Sequence, residues 1–157
     1  MTLGDSFPPD LRRDSVRRQL AAGVVVKLAR LMDDGQVHEK RYVVLHVDAD
    51  KTTACVINSA ISRFTQNRKN LLRCQVAMSA ATHSFMDHDS YVDGSRTWVY
   101  ATDSVVEELM SHGGWILGTM TADLRDSLVA ALLRSPTLSG VEVDILTKSL
   151  RGMGAES

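Results

Sequence analysis

The sequence lacks the features of a secreted, membrane-spanning or cysteine-stabilised protein. It has two cysteines in 157 residues, Cys55 and Cys74, and no Cys-x-x-Cys pair, which excludes a zinc site built on cysteines. Each cysteine lies in an apolar, strand-like run, so we expect two reduced thiols in the core, with a disulfide or a catalytic thiol as the alternative. No apolar run approaches the roughly 18 residues of a membrane span. The first residues carry charges and prolines where a signal peptide is apolar, so we expect a cytoplasmic protein.

Acidic residues are absent from one long part of the chain. Residues 51–86, called the acid-free segment below, contain no aspartate or glutamate. Residues 87–147 reverse this balance with ten acids and three arginines, although the net formal charge of the whole chain is only −1. A protein that separates its charges in this way offers one surface to an anion, and phosphate backbones are the commonest anionic partner. The basic residues of the segment are Lys51, Arg63, Arg68, Lys69 and Arg73.

Length and composition predict a single globular domain with a sizeable core. Hydrophobic residues make up 44% of the chain and charged residues 24%, with three prolines. β-Branched apolar runs predict strands, and Asp33-Asp34-Gly35 predicts a turn between the first two. Short spacing between the first three runs favours an antiparallel meander, and apolar residues at alternating and adjacent positions favour a sheet covered on both faces. The predicted strands are residues 23–29, 41–47, 52–58, 71–78 and 90–99.

Helices are predicted at both ends of the chain. Pro8-Pro9-Asp10 opens the first helix, which runs to Leu20 with Leu11 and Val16 on its apolar side. Asp103 or Ser104, Thr121 and Ser139 are the expected N-caps of three later helices. Strands first and helices afterwards predict an α+β fold, a small barrel with helices packed on one side. The expected divisions are a disordered stretch at 1–7, a helix at 8–20, a barrel at 22–100 and a helical part at 103–151.

The order of these elements resembles the MazF/PemK (CcdB-like) toxin family over about residues 22–134. Three stretches carry the resemblance: KRYVVL at 40–45, HDSYVDGSRTWVYATDSVVEELM at 88–110 and ILGTMTADLRDSLVAALL at 116–133. The family has an arginine and a proline where this chain has Arg41 and Tyr42. Membership would imply an SH3-like antiparallel barrel with C-terminal helices, to which the N-terminal helix and the helix after Pro136 are additions.

The resemblance also implies a function and a set of site residues. Many members cleave single-stranded RNA, form homodimers and are held in check by a protein antitoxin. Their arginine corresponds to Arg41, and their threonine or serine at the end of the third strand corresponds to Ser59 or Asn58. The residues expected to contact the RNA are Lys40, Arg63, Arg68, Lys69 and Arg73.

RNA cleavage without a metal or another cofactor asks for few protein groups. The 2′-hydroxyl of the RNA is the nucleophile, and its attack adds negative charge to the phosphate. A guanidinium suits that charge because it is always positive and binds oxygens in pairs. Arg41 with Ser59 meets this requirement if neighbouring strands bring the two together. The alternative for Arg41 is an ion pair with an acid at the rim, and for Ser59 a place at the entry of a loop.

Two other functions stay open at this point. A barrel of the same shape that binds nucleic acid or a protein without cleaving it explains the charges equally well. A metal-dependent nuclease is a further alternative, because His83, Asp87, His88 and Asp89 place four potential ligands within seven residues. Their spacing matches no familiar ligand pattern, so we expect Asp87 and Asp89 to form a turn and no metal to bind.

Overall fold

The computed structural model describes residues 8–153 and resolves them into thirteen helices and strands. The predicted disorder of residues 1–7 lies outside the described part. In chain order the elements are α1 (Pro9–Gln19), β1 (Val24–Leu31), β2 (Val37–Val47), β3 (Lys51–Asn58), α2 (Arg63–Gln66), α3 (Lys69–Leu72), β4 (Gln75–Met78), β5 (Ser90–Asp93), β6 (Trp98–Ala101), α4 (Thr102–Ser111), β7 (Ile116–Thr119), α5 (Ala122–Leu133) and α6 (Gly140–Arg151).

Strands β1, β2 and β3 form the predicted antiparallel meander. The turn between β1 and β2 contains Gly35 with a φ of 79°, a conformation that favours glycine. The far edge of β3 pairs with β6 near its start and with β5 near its end. Strand β4 extends the sheet beyond β5, and β7 extends it beyond β1. The seven strands of the described residues curl into a half-barrel, so the α+β class and the small barrel with helices are confirmed.

Helices cover both faces of this sheet. Successive side chains of a strand point to opposite faces, so apolar residues at neighbouring positions pack against helices on either side. Val43 and Cys55 pack on one face with residues of α5 and α6. Tyr42 and Val44 pack on the other face with residues of α4. The predicted two-sided burial is therefore confirmed, whereas the prediction that the helices pack on one side is wrong.

The predicted helix starts are confirmed for α5 and α6 and differ for α4. The side chain of Thr121 accepts a hydrogen bond from the Leu124 amide, and Ser139 forms a capping box with Glu142. Helix α4 begins at Thr102 with Ala101 at the N-cap position, before both predicted caps, and within the described residues no side chain caps it. Strand β6 ends at Ala101 and the helix begins at the next residue, so the end of the strand, and not a capping side chain, fixes where the helix begins.

Two predicted strands are wrong in extent. The run at 71–78 is a strand only from Gln75, because residues 69–72 form the short helix α3. The run at 90–99 is two strands separated by a turn, in which Asp93 accepts hydrogen bonds from the Ser95 amide and hydroxyl. In both places the apolar residues continued across a break in the backbone, and hydrophobicity alone does not reveal such a break.

Helix α1 lies against α4 and uses two of its arginines to do so. Arg12 donates to the Met110 carbonyl, and Arg13 pairs with Glu107 at 3.0 Å. Leu20 just after the helix is buried, but Leu11 is 56% exposed, so Leu11 is not part of the predicted apolar side. These arginines therefore help to hold the helix on the domain.

The cysteine prediction is confirmed, and no helix of the described part is long and apolar enough to cross a membrane. Cys55 and Cys74 are both buried and free. Burial raises the pKa of both thiols, which keeps them protonated and unreactive.

Candidate functional site

An open cavity of about 230 Å³ lies at one end of the sheet, where β1, β2 and β3 meet the connection between β4 and β5. It is smaller than the roughly 300–1,000 Å³ of pockets for drug-sized ligands, and it therefore suits a small charged group. Three permanently cationic residues line it, against one carboxylate. The lining residues are Lys27, Glu39, Lys40, Arg41, Ile57, Ser59, Met86, His88 and Ser90.

The sheet register places Arg41 beside two other residues of the cavity lining. On β2 it lies opposite Ile57 of β3 and opposite Lys27 of β1. Residues directly opposite each other in an antiparallel pair have their Cβ atoms about 4.5–5.5 Å apart. Like charges in that position repel each other. The pair Lys27 and Arg41 therefore creates a local excess of positive charge on the sheet face that the cavity occupies.

Arg41 is only partly satisfied by protein groups. Its Nη2 donates to the Asp87 carboxylate at 3.0 Å, and its Nε is covered and has no hydrogen-bond partner within residues 8–153. The Arg41 side chain is 22% exposed, whereas that of Asp87 is 80% exposed. The predicted alternative for Arg41, an ion pair with an acid, is thus present, with Asp87 as the acid.

Arg41 also acts on the acidity of its partner. The hydrogen bond from Arg41, followed by the charge of its guanidinium, holds the pKa of Asp87 below the ordinary value of 3.8. Asp87 is therefore an anion at any pH near neutrality. The guanidinium accordingly already binds one solvent-exposed oxyanion, and it has further N–H donors for another.

The other predicted catalytic residues lie where the sequence places them. Asn58 is the last residue of β3, and Ser59 follows it and lines the same cavity as Arg41. Arg41 and Ser59 therefore line the same cavity, while their catalytic roles stay predictions. Lys40 also lines the cavity, and its Nζ donates to the Asn58 side-chain oxygen at 3.1 Å.

The connection between β4 and β5, residues 79–89, forms one side of the cavity and is called the wall loop below. His83 is buried; its Nδ1 lies 3.0 Å from the Ser79 carbonyl and its Nε2 accepts the Thr121 amide at 3.1 Å. Phe85 packs so closely on Gly118 of β7 that a Cβ there would lie 2.5 Å from the phenyl ring. Asp89 accepts the Ala80 amide. The loop is therefore fastened to β7 and to the start of α5.

These contacts weigh against the metal-dependent alternative. Both ring nitrogens of His83 are occupied by backbone groups, so it has no free lone pair for a metal. Asp87 pairs with Arg41, and Asp89 holds the loop. Within residues 8–153 no group of three or more histidine, cysteine, aspartate or glutamate side chains could hold a metal ion.

The basic residues of the acid-free segment do not line the cavity. Arg63 and Lys69 lie on the short helices α2 and α3, and Arg73 directly follows α3. Arg68 lies over the Phe64 ring at 3.5 Å from its centroid and donates to the Phe64 carbonyl. None of these four cations forms a salt bridge to a carboxylate of residues 8–153. They form a separate, exposed basic surface.

Sequence reasoning missed two residues of interest. Lys27 had no signal of its own, because its position opposite Arg41 depends on the register of β1 and β2. Phe64 is 60% exposed on the basic surface, and an exposed aromatic between cations was a signal that the sequence offered. An aromatic ring beside arginines is a stacking surface for unpaired bases.

Two comparisons with known proteins add no relative. No protein-family model matches the chain, and a search among curated proteins finds no related sequence. The chemistry of the cavity therefore carries the functional argument: a small cationic site, with a hydroxyl and an imidazole at its edge and an exposed carboxylate held at its arginine.

Proposed function

We propose that this protein is a toxin-like, metal-independent endoribonuclease that binds single-stranded RNA and cleaves it in the cavity around Arg41. The observation that carries the proposal is the placement of Arg41, Lys27 and Ser59 around one small cavity beside the acid-free segment. The resemblance to the MazF/PemK family supports the reaction type.

Each of these residues has a task in the proposed reaction. Attack of the 2′-hydroxyl gives a phosphorane with more negative charge than the ground state, so donors aimed at it lower the barrier. Arg41 has free N–H donors for this charge, and Lys27 adds a second cation opposite it. Ser59 supplies a hydroxyl for a phosphoryl oxygen, with Asn58 and Lys40 beside it.

The basic surface provides a path for the rest of the RNA. Arg63, Lys69 and Arg73 carry charges that no carboxylate of the described residues neutralises, so they attract phosphates at little cost. Phe64 with Arg68 offers a stacking surface for a base, which requires the base to be unpaired. The stacking surface favours a single strand over a duplex, because the bases of a duplex are already paired and stacked.

The remaining parts of the proposal rest on the resemblance alone. They are a homodimer, a protein antitoxin that blocks the site, and action in the cytoplasm. A dimer would be measured by sedimentation or light scattering of the purified chain.

A non-catalytic binding module on the same barrel is the second candidate. The pair of Arg41 and Asp87 favours it, because an arginine already engaged with a carboxylate is a common structural arrangement. Such a module binds RNA or a protein partner at the basic surface and cleaves nothing.

Substitution of Arg41 separates the two candidates. We expect Arg41→Ala to lower cleavage of a single-stranded RNA oligonucleotide by about 10²–10³-fold, since one donor to developing charge is lost. Arg41→Lys keeps the charge and loses the paired donors, so it should restore only part of the activity. Product formation is measured by chromatography, in buffer with and without a metal chelator.

Arg18→Ala is the matched control. Arg18 is an exposed arginine of α1 that makes no hydrogen bond within the described residues, so its loss should leave cleavage unchanged. Cleavage that survives in Arg41→Ala, or that the chelator abolishes, contradicts the proposed mechanism. Binding of RNA by the wild-type chain without any cleavage supports the binding module instead.

A further inference from the structure

The proposed cleavage needs a group that accepts the proton of the 2′-hydroxyl, and the family resemblance supplies none. An arginine is always protonated and a serine is a poor base, so Arg41 and Ser59 leave this task unfilled. Two other residues that line the cavity are able to accept a proton, His88 and Glu39. The inference below rests on the proposed function.

His88 is held in one orientation by its own neighbours. Its Nδ1 lies 3.0 Å from the Asp89 carbonyl oxygen and 3.1 Å from the Ser90 hydroxyl. The Ser90 hydroxyl also lies 3.3 Å from the His88 carbonyl, to which it donates. A carbonyl only accepts, so Nδ1 must carry the hydrogen that is donated to Asp89.

The tautomer follows from these acceptors. With the hydrogen on Nδ1, the lone pair of the neutral imidazole is on Nε2. Nε2 makes no hydrogen bond within residues 8–153, and His88 is exposed on the cavity wall. A base fixed through one nitrogen and open at the other is the arrangement that proton transfer requires.

The position of His88 is tied to that of Arg41. Asp87, the preceding residue, is bound to Arg41 at 3.0 Å, so the tip of the wall loop is held beside the guanidinium. His88 therefore faces the same cavity as the group that stabilises the phosphate. Its charged surroundings are Lys27 of β1, Glu39 and Lys40 of β2, and Asp89 of its own loop.

Glu39 is the weaker candidate. It is an exposed residue of β2 with no side-chain hydrogen bond within the described residues, so nothing fixes its direction. Its carboxylate would also repel the phosphate that it has to approach. A neutral imidazole avoids this repulsion and gains a favourable charge beside the phosphorane once it is protonated.

We propose that His88 is the general base of the cleavage reaction. Nε2 takes the proton of the 2′-hydroxyl, and the 2′-oxygen forms a bond to phosphorus. The bond from phosphorus to the 5′-oxygen breaks, which leaves a 2′,3′-cyclic phosphate and a 5′-oxygen that takes a proton from water. The imidazolium returns its proton to the resulting hydroxide, so the enzyme and all atoms balance.

The test compares His88→Ala and His88→Gln with Glu39→Gln, and uses His38→Ala as the matched control. His38 is an exposed histidine of β2 that pairs with Asp34 and does not line the cavity. Loss of a general base should lower kcat by about 10²–10⁴-fold. Binding of an oligonucleotide with a 2′-deoxy sugar at the cleavage position should change by less than about twofold.

Two further readouts identify a base rather than a structural residue. The wild-type rate should fall at acid pH as the base becomes protonated, and this acid limb should disappear in His88→Ala. Added imidazole should restore part of the activity of His88→Ala and none of the activity of Arg41→Ala.

The outcomes separate this inference from the proposed function. If the wild-type chain cleaves RNA and His88→Ala cleaves equally well, His88 is not the base, although the enzyme stands. If Glu39→Gln loses cleavage and His88→Ala keeps it, Glu39 is the base. If the wild-type chain cleaves no RNA, both proposals are overturned.

Discussion

Arg30 and Arg41 lie on neighbouring strands, and each binds a carboxylate from a distant part of the chain. Arg30 pairs with Glu108 of α4 at 2.5 Å, and their side chains are 19% and 17% exposed. Arg41 pairs with Asp87 of the wall loop, with exposed fractions of 22% and 80%. The two arginines are equally covered, so the difference lies in their partners.

Protein groups hold the Arg30 guanidinium, because its Nη1 donates to the Glu108 carboxylate and to the Ala29 carbonyl. Glu108 also accepts the Ala29 amide at 2.7 Å, which satisfies a β1 group beyond the end of β7. The Arg30 guanidinium lies over the Tyr100 ring, and the Tyr100 hydroxyl donates to that of the buried Tyr42. Burial raises the pKa of Tyr42, which stays neutral. This arrangement connects β1 to α4 and to β6.

The surroundings of Arg41 are different. Within residues 8–153 its covered Nε has no hydrogen-bond partner, Lys27 lies opposite it, and the Asp87 carboxylate with which it pairs is mostly exposed to solvent. A buried donor without a partner costs about 1–3 kcal/mol, so a ligand that accepts from Arg41 would recover part of this cost. We propose from this comparison that Arg30 serves the fold and that Arg41 is available to a ligand. Substitutions on either side test this division.

The largest effect on stability is expected on the Arg30 side. Glu108→Gln removes the charge that compensates Arg30 and should lower the free energy of unfolding by about 2–4 kcal/mol, because the pair is mostly buried. The measurement is urea unfolding followed by circular dichroism. Asp87→Asn is the matched variant and should leave the unfolding midpoint almost unchanged. Equal losses of stability in both variants would show that the two ion pairs contribute equally to the fold and would contradict the proposed division.

A smaller effect is expected for ligand binding on the Arg41 side. Asp87→Asn removes the carboxylate that competes for Arg41, so non-cleavable single-stranded RNA should bind roughly twofold to fivefold tighter. Asp126→Asn on α5 removes the same charge away from the cavity and should change binding less. RNA binding by both variants is measured by fluorescence anisotropy at one fixed salt concentration. Weaker binding in Asp87→Asn would mean that Asp87 orders the site instead of competing for it.

The smallest effect concerns the titration of Asp87. Its pKa lies below 3.8 in the folded protein, so its ion pair stabilises the fold above that pH and is lost as the pH falls through the lower folded value. Arg41→Ala should raise the pKa of Asp87 toward 3.8, and Arg30→Lys should leave it where it is. The pKa of Asp87 in both variants is measured by NMR, from its carboxyl chemical shift over a range of acid pH.

Local signals in the sequence predict the α+β class, the antiparallel meander and two of the helix caps. Thr121 and Ser139 were identified as caps because an N-cap is decided by the first turn of its own helix. The meander followed from three β-branched runs at short spacing. The failures at 71–78 and 90–99 arose where a turn interrupts an apolar run, since the interruption depends on pairing with distant strands.

The candidate site was predictable only in part. Arg41 and Ser59 came together because their strands are consecutive. The sequence does not predict that Lys27 and Asp87 lie next to Arg41. The position of Lys27 depends on the register of β1 and β2, and that of Asp87 depends on the path of the eleven-residue connection. In the sequence His83 and His88 are both potential metal ligands. The structure distinguishes them, because both ring nitrogens of the buried His83 are hydrogen-bonded to backbone groups.

The contacts that hold the wall loop determine which of its residues can be substituted without loss of the fold. His83 and Phe85 are committed to contacts with α5 and β7, so substitutions there disturb the whole domain. Asp87 and His88 project from the tip with little burial. Mutations at these two positions therefore alter the chemistry of the cavity at low cost to folding. Random libraries restricted to the tip offer a route to new ligand preferences on an unchanged scaffold.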